Sequence, residues 1–426
     1  MLLFACASGL SVANVYYAQP LLDALAADFG ISLAAVGAVI TATQVGSVLA
    51  LVLLVPLGDM LSRRGLMLGQ LAALVLALCW VCVAGSAAAM MAGMLAVGML
   101  GTAMTQGLIA YAASAASEQE RGRVVGAAQS GVVGGLLMAR VFAGLVADLA
   151  GWRGVYAASA AIMLALGVLL WRALPKSRAP AAADAATTTG AGAGAAAAGA
   201  AVSYTALLAS SFALLRHNRV LQVRGAIALL MFAVFGTFWS ALVFLLSAPP
   251  YAYSHTAIGA FGLVGLAGAL AAARAGHWAD QGRAQPASAA ALALMTAAWL
   301  PLAMAQHSLP ALIIGILALD LGVQALHVTN QTLILRTAKT DHSRLIGAYM
   351  MFYALGSGAG AIAATHVHAM AGWNGACLLG GALSLAALAF WASTTKVASP
   401  DCKSGRTNLE WPDQINVLQQ QRDKNP

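Results

Sequence analysis

The sequence predicts an all-α integral membrane protein of twelve transmembrane helices, arranged as two six-helix pseudo-symmetric halves. Three observations carry this expectation. Hydrophobic residues make up 61% of the 426 residues and charged residues 8%, where soluble domains run at about 45–50% and about 25%. Uncharged runs of about 20 residues recur, each long enough to cross ~30 Å of hydrocarbon. The first and second parts of the chain also repeat one another at a fixed offset. A soluble solenoid would need a polar face on every helix, and most of these runs have none.

The predicted spans, in order, are 2–22, 33–55, 66–85, 89–112, 124–147, 154–171, 222–246, 255–273, 287–306, 310–335, 345–367 and 374–393. The first begins at Met1 with no basic flank and no A-x-A-like site, so it reads as a span and not as a cleaved signal. Lys and Arg test the count, because cytoplasmic loops collect them. Alternate connections hold Arg63 and Arg64, then Arg121 and Arg123, then the Arg172–Arg219 group with Arg224 at the mouth of span seven. Arg274 and Arg283, Arg336 to Arg344, and the C-terminal tail follow on the same side. Of the 22 cations only Arg153 falls on the other side, and Arg140 lies within a span. Both termini are therefore expected in the cytoplasm. The net charge of +8 is explained by this loop bias, so no nucleic-acid partner is expected.

Residues 1–172 form the first expected half and 217–394 the second. Between them, 173–216 reads as a flexible cytoplasmic linker, because APAAADAATTTGAGAGAAAAGAAVS has no hydrophobic face. Residues 395–426 are rich in Asn, Gln, Lys and Asp and read as a disordered cytoplasmic tail. Cys79 and Cys82 form a CxxC inside an apolar span with no His or acid nearby, so core packing is expected of them.

The repeat has an offset of 221 with no gap. It pairs Asp59 with Asp280, Gly101 with Gly322, Glu120 with Asp341 and Arg123 with Arg344. Gly126 pairs with Gly347, Gly135 with Gly356, and GWRG (151–154) with GWNG (372–375). After span two the chain reads PLGDMLSRRG, and after span eight GHWADQGR. Both resemble the loop signature G-x-L-a-D-R-x-G-R-R/K of major facilitator transporters. Leu57, Asp59, Arg63 and Arg64 match in the first copy, with Val55, Met60 and Ser62 at the other signature positions. Gly276, Asp280 and Arg283 match in the second, which is one residue short.

NVYYAQPLL (14–22) and GWRGVY (151–156) resemble the bacterial drug/sugar-efflux (arabinose-efflux-permease-like) branch of that superfamily. The resemblance covers roughly residues 1–395 without the linker. It implies a monomeric, multi-pass protein of the bacterial cytoplasmic (inner) membrane, with a small-molecule substrate, the lipid bilayer as its surroundings, and no cofactor or metal. It also implies that the loops carrying Asp59, Arg63, Arg64, Asp280 and Arg283 latch the two halves on the cytoplasmic side. An acid at a helix start complements the positive end of the dipole, and the arginines can pair with it or serve topology alone.

Ionisable residues inside a span are costly and are functional candidates by default. Asp320 lies ten residues into span ten, about 15 Å deep at 1.5 Å per residue. Gln324, His327 and Gln331 fall within roughly 40° of it on a helical wheel, a polar stripe that needs a cavity or another polar helix to face. In the repeat, His327 corresponds to Gln106 but Asp320 to Met99. In major facilitator proteins spans one, four, seven and ten line the central cavity, which makes Asn14, Tyr17, Gln106, Asp320, Gln324 and His327 candidates for lining it, with Gln331 a further candidate for substrate contact.

A carboxyl in hydrocarbon can be loaded and unloaded with a proton as water access alternates, so Asp320 is the expected proton-coupling residue, with His327 as partner or relay. Structural hydrogen bonding and cation recognition are the other readings of that acid. Arg140, in span five, can bind an anionic group of the substrate or snorkel toward Asp148.

Gly131 and Gly135, and Gly356 and Gly360, are small-xxx-small pairs that permit close helix packing. Span five has GVVGG without the proline of the antiporter motif G-x-x-x-G-P-x-x-G-G. No G-x-x-x-x-G-K-[ST], H-E-x-x-H, G-x-S-x-G or paired intramembrane aspartates occur, which disfavours an ATP-driven pump and a membrane enzyme. The expected function is proton-coupled efflux of a small molecule by antiport. Proton-coupled uptake by symport, or a non-transporting sensor on the same fold, are the alternatives.

Overall fold

The structure is a computed structural model and describes residues 1–116, 120–173, 204–271, 281, 283–337 and 342–394. All regular elements among the described residues are helical. Eight helices among the described residues are long and apolar enough to cross a membrane. Two shorter apolar helices, Leu2–Ala13 and His255–Gly265, accompany them.

The first predicted span is not one helix. α1 (Leu2–Ala13) ends at Asn14, a turn follows, Gln19–Leu21 forms a 3₁₀ segment, and α2 (Leu22–Phe29) closes on Gly30. The break precedes Pro20, whose missing N–H and fixed φ disfavour a continuous α-helix. α3 (Ala38–Leu49) passes into a π-helical turn, Ala50–Leu54, and then a 3₁₀ segment, Val55–Asp59. α4 (Arg63–Cys82) and α5 (Ala87–Ala115) follow, α5 capped by Ser86, which accepts from the backbone N–H of Ala89.

α6 runs from Arg121 to Ala173, and at about 1.5 Å per residue that is far longer than one crossing. It breaks at Gly151, whose φ of 70° is a left-handed conformation glycine adopts without a Cβ penalty. The last helix shows the same device at Gly372, φ 58°. These are the two repeat sites GWRG and GWNG. The sequence predicts connectors of several residues there, and a single glycine suffices.

α7 (Tyr204–His217) lies inside the stretch expected to be flexible linker. Its Tyr204 hydroxyl donates to the carbonyl of Leu53, 2.8 Å away, so this part of the linker is ordered against the π-helical end of the second span. Residues 174–203 and the tail 395–426 lie outside the described residues.

α8 (Arg219–Ser247) is capped by Asn218, and α9 spans His255–Ala271. The ninth predicted span is two pieces, α10 (Ala284–Ala297) and α11 (Trp299–Ala303), bent at Ala298. α12 (Leu309–Leu335) carries the polar stripe, and α13 (His342–Thr394) ends the described chain.

Small residues set the packing. A Cβ on Gly131 would meet the backbone of Ala5, and one on Gly135 that of Gly9, so α6 lies backbone to backbone on α1. Gly356 meets Leu229 and Gly360 meets Ala233, so α13 lies on α8 in the same way. Without a hydrophobic drive between helices in lipid, such contact supplies dispersion and close approach. α8 is covered along almost its whole length, with Phe238 edge-on to Trp239, Trp299 and Trp373.

Candidate functional site

Two arrangements face each other near the middle of the bundle: a cavity, and a buried pair of charges beside it. The cavity has a volume of about 280 Å³, near the lower end for small-molecule sites. One wall is α12, from which Gln324, His327 and Gln331 point inward. Gln106 and Thr105 enter from α5, and Gln129 from α6. Gln44 and Ser47 come from α3, and Tyr16 from the turn after α1. Phe232, Phe235 and Tyr353 make an aromatic wall, in which Phe232 and Tyr353 stand with ring centroids 4.0 Å apart.

Several polar groups in this wall are already engaged. Thr102 donates to Ser47 at 2.8 Å. His327 pairs through Nδ1 with the Tyr349 hydroxyl at 2.9 Å and through Nε2 with the Gln331 amide nitrogen at 3.2 Å. The Gln331 N–H must donate to Nε2, so the ring is neutral with its proton on Nδ1. Gln44 differs. It is 1% exposed, and neither its amide oxygen nor its nitrogen has a hydrogen-bond partner among the described residues.

A second space of about 110 Å³ adjoins the cavity, sharing Leu51 and Gln106 with it. Arg63, Pro56, Arg344 and, from α7, Leu208 and Leu215 line it, so it lies toward the linker side. The opposite side is sealed. A Cβ on Gly37 would meet Ala361 and Thr365, and Thr365 donates to the carbonyl of Ala34. Asp148, near the Gly151 break of α6, accepts from the backbone N–H groups of His255 (3.1 Å) and Thr256 (2.8 Å). It thus caps α9 from another helix. His255 also reaches Asp23 of α2 at 3.1 Å and Asp148 through Nδ1 at 3.3 Å.

Asp320 is 3% exposed and does not line the cavity. It lies on the same helix face as Gln324 and His327, but farther from the linker side, where α9 closes over it. A Cβ on Gly265 would collide with its Oδ2, so α9 covers the acid only because that position is glycine. Neither carboxylate oxygen has a hydrogen-bond partner among the described residues, and the indole N–H of Trp239 is also unpartnered. The Arg140 guanidinium of α6 is the charge that acts on the carboxyl. No ion pair joins Asp320 and Arg140, and Asp320 does not meet His327.

Arg140 is 1% exposed. Its Nη2 donates to Gln19 Oε1 at 2.9 Å, and its guanidinium lies 3.8 Å from the centroid of the Trp239 ring. Its Cβ and Cδ lie 3.4 and 3.6 Å from where a Gly262 Cβ would stand. Arg140 does not snorkel to Asp148, which is occupied by α9. Phe235 stands between the two arrangements, lining the cavity and lying 5.6 Å from the Arg140 guanidinium.

Two expected cavity residues are elsewhere. Asn14 accepts from Ser159 at 2.7 Å and donates to the carbonyls of Leu10 and Ser11. Tyr17 packs against Phe142 and Tyr156. Because the helix stops at Asn14, the phase of the following turn changes, and Tyr16 takes the inward place. In the loop motifs, Arg63 donates to the carbonyl of Ala110 and Arg64 to that of Trp171. Asp59 ends the 3₁₀ segment, and Arg283 flanks α10. The Asp59 side chain and all of Asp280 lie outside the described residues.

Sequence reasoning missed Gln44, Gln129, Gln19, Trp239 and Arg224. Gln44 had a signal, a lone amide in an apolar run. Arg224, expected at a span mouth, is fully buried and donates to Ser288 at 2.9 Å and Asn330 at 3.3 Å.

A family model, Major Facilitator Superfamily, matches residues 4–305 and 249–411. The Escherichia coli O157:H7 protein named Uncharacterized transporter YgaY is 38% identical over 398 residues, 92% of this chain and 94% of that one. A Streptomyces coelicolor transporter is 28% identical over 381 residues, 89% of this chain and 84% of that one. The solved nucleoside transporter NupG has a TM-score of 0.67 at 16% identity, covering 92% of this chain and 99% of that one. The D-xylose-proton symporter scores 0.67 at 16%, covering 92% and 96%. A bacterial homolog of the human lysosomal transporter Spinster, in an inward-facing and occupied conformation, scores 0.70 at 12%, covering 93% and 96%. At these identities the structural likeness is one of fold alone.

Proposed function

The chain belongs to the Major Facilitator Superfamily, and from that premise we propose that it exports a small molecule from the bacterial cytoplasm in exchange for protons. That it is a membrane-spanning transporter and not an enzyme follows from the family. The finer reading has twelve spans in two halves. Eight long helices, two glycine breaks and two shorter helices support that count. Both termini and the linker lie in the cytoplasm of a monomer in the inner membrane, in keeping with the cation alternation.

The observation that carries the coupling is the Asp320 carboxyl, buried without a hydrogen-bond partner among the described residues where α9 of one half meets α6 of the other. A buried carboxylate without a full set of partners is costly, and protonation removes the charge. Arg140 supplies the opposite charge from the other half. With Asp320 neutral, the sealed arrangement is stable. With the proton gone, the anion draws Arg140 away from Trp239 and Gln19, and the packing of α9 on α6 changes. The linker-side space and the sealed opposite side suit one end state of alternating access. In the other state, the loops of Asp59, Arg63 and Arg64 and of Asp280 and Arg283 close the cytoplasmic side. Asp320 thereby takes the coupling role, with Arg140 as its partner and His327 in the cavity wall.

The test uses inside-out vesicles from overexpressing cells, energised to an acid interior and read with a pH-sensitive dye. A transported compound releases protons outward, and Asp320→Asn abolishes that release while the protein remains in the membrane. Full compound-driven proton release by Asp320→Asn would sink the coupling reading. Compound-driven proton entry into right-side-out vesicles, with no release from inside-out ones, would reverse the direction to uptake by symport.

A further inference from the structure

We propose that the central cavity takes an uncharged substrate with a hydrogen-bond donor and acceptor side by side, held by the Gln44 amide and packed on the Phe232–Tyr353 wall. The inference rests on the cavity being the transport site and adds the chemical class of what enters it.

Three observations carry it. The first is Gln44 itself. It lines the cavity at 1% exposure, and neither end of its amide has a hydrogen-bond partner among the described residues. A primary amide with a free N–H and a free C=O reads one edge of a ligand with two parallel hydrogen bonds, as glutamine does against a ring edge with adjacent donor and acceptor. Gln44 is also held in place. Gly358 of α13 stands against it, the glycine's would-be Cβ 3.2 Å from the Gln44 Cβ, and Thr41 one turn earlier donates to the Gly358 carbonyl at 2.8 Å.

The second observation is what the wall does not contain. Among the described residues, no Asp, Glu, Lys or Arg lines the cavity. Its one imidazole has both ring nitrogens engaged, by Tyr349 and Gln331. An ionic ligand would lose its hydration with no counter-charge to replace it. Of the two buried charges nearby, Arg140 lies 5.6 Å from the Phe235 ring, and neither it nor Asp320 lines the space. The third is the wall's mixture of amides, from Gln106, Gln129, Gln324 and Gln331, with aromatic faces. That suits a flat or ring-shaped molecule whose rim hydrogen-bonds and whose face stacks.

The test is equilibrium binding to the purified full-length protein in detergent, read as the shift in melting temperature by intrinsic tryptophan fluorescence. No proton gradient is present, so failure of the coupling reading leaves this result intact. The probes are matched pairs: nicotinamide with nicotinic acid, uridine with uridine monophosphate, and D-glucose with glucosamine. At least one neutral member is expected to give a saturable shift, with its charged counterpart binding at least tenfold more weakly. Gln44→Leu is expected to weaken the neutral ligand at least tenfold. It should also raise the melting temperature of the ligand-free protein, because the amide makes no hydrogen bond among the described residues. Three results would each overturn the proposal. They are no saturable shift from any neutral probe, a charged member binding as tightly as its partner, and a Gln44→Leu protein that melts lower without ligand while binding unchanged.

Discussion

The guanidinium carbon of Arg140 lies 3.8 Å from the centroid of the Trp239 ring, joining α6 to α8 in the middle of the bundle. The cation has no salt-bridge partner among the described residues, so the indole face and the Gln19 oxygen are what compensate its burial. A desolvated cation–π contact contributes about 2 kcal/mol. Trp239→Leu should therefore destabilise the purified protein by an amount near that figure, read as a lower melting temperature, and Trp239→Phe by less. Arg140→Lys should not restore the wild-type value, because an ammonium cannot stack on the ring while donating in the guanidinium plane to Gln19. Equal melting of Trp239→Leu and wild type would show that the stack adds no stability.

The seal opposite the linker depends on one aspartate. Asp148 caps α9 through two backbone N–H groups and also holds His255, which bridges to Asp23. Asp148→Ala removes the cap and one arm of that bridge, a loss of about 1 kcal/mol from the closed state. Spin labels at Leu33 and Met370, exposed on either side of the seal, should then report a longer distance in a larger fraction of molecules. The wild-type seal should also respond to pH. A protonated imidazole donates to both carboxylates, whereas the neutral ring donates to one. Closure is thus favoured at acid pH and weakens as pH rises through the imidazole range. A distance distribution that stays constant across that range would count against the bridge.

Adjacent glycines in α6 should behave in opposite ways. A Cβ at Gly135 would overlap the backbone of Gly9, whereas one at Gly134 meets nothing within 4 Å. Gly135→Ala forces α1 and α6 apart, at a cost of about 1–3 kcal/mol. Gly134→Ala should gain about 0.5–1 kcal/mol from the helix backbone. Melting temperatures of the two variants, measured side by side, check the prediction. A fall in both would mean that α6 is not tolerant of a methyl group at either face.

Much of this could be read from local pattern. The helices follow from long apolar runs, and the breaks at Gly151 and Gly372 sit at the repeated GWRG and GWNG. The glycine pairs of α6 and α13 lie where close packing was expected. Gln106, Gln324, His327 and Gln331 could be aimed at a cavity because helical phase is a property of spacing alone.

What covers a face is not a local property, and there the tertiary structure decided. Asp320 shares its helix face with Gln324 and His327, yet α9 passes over it at Gly265 and removes it from the cavity. Tyr16 replaced Tyr17 because α1 stops at Asn14, and Asn14 was taken by Ser159 on a distant helix. Arg140 found Trp239 and not Asp148, and Gln44 was left with a free amide. Sequence spacing determines which side chains lie on one stripe. The approach of neighbouring helices, set by the glycines between them, determines which of those side chains meet a partner, a cavity or each other.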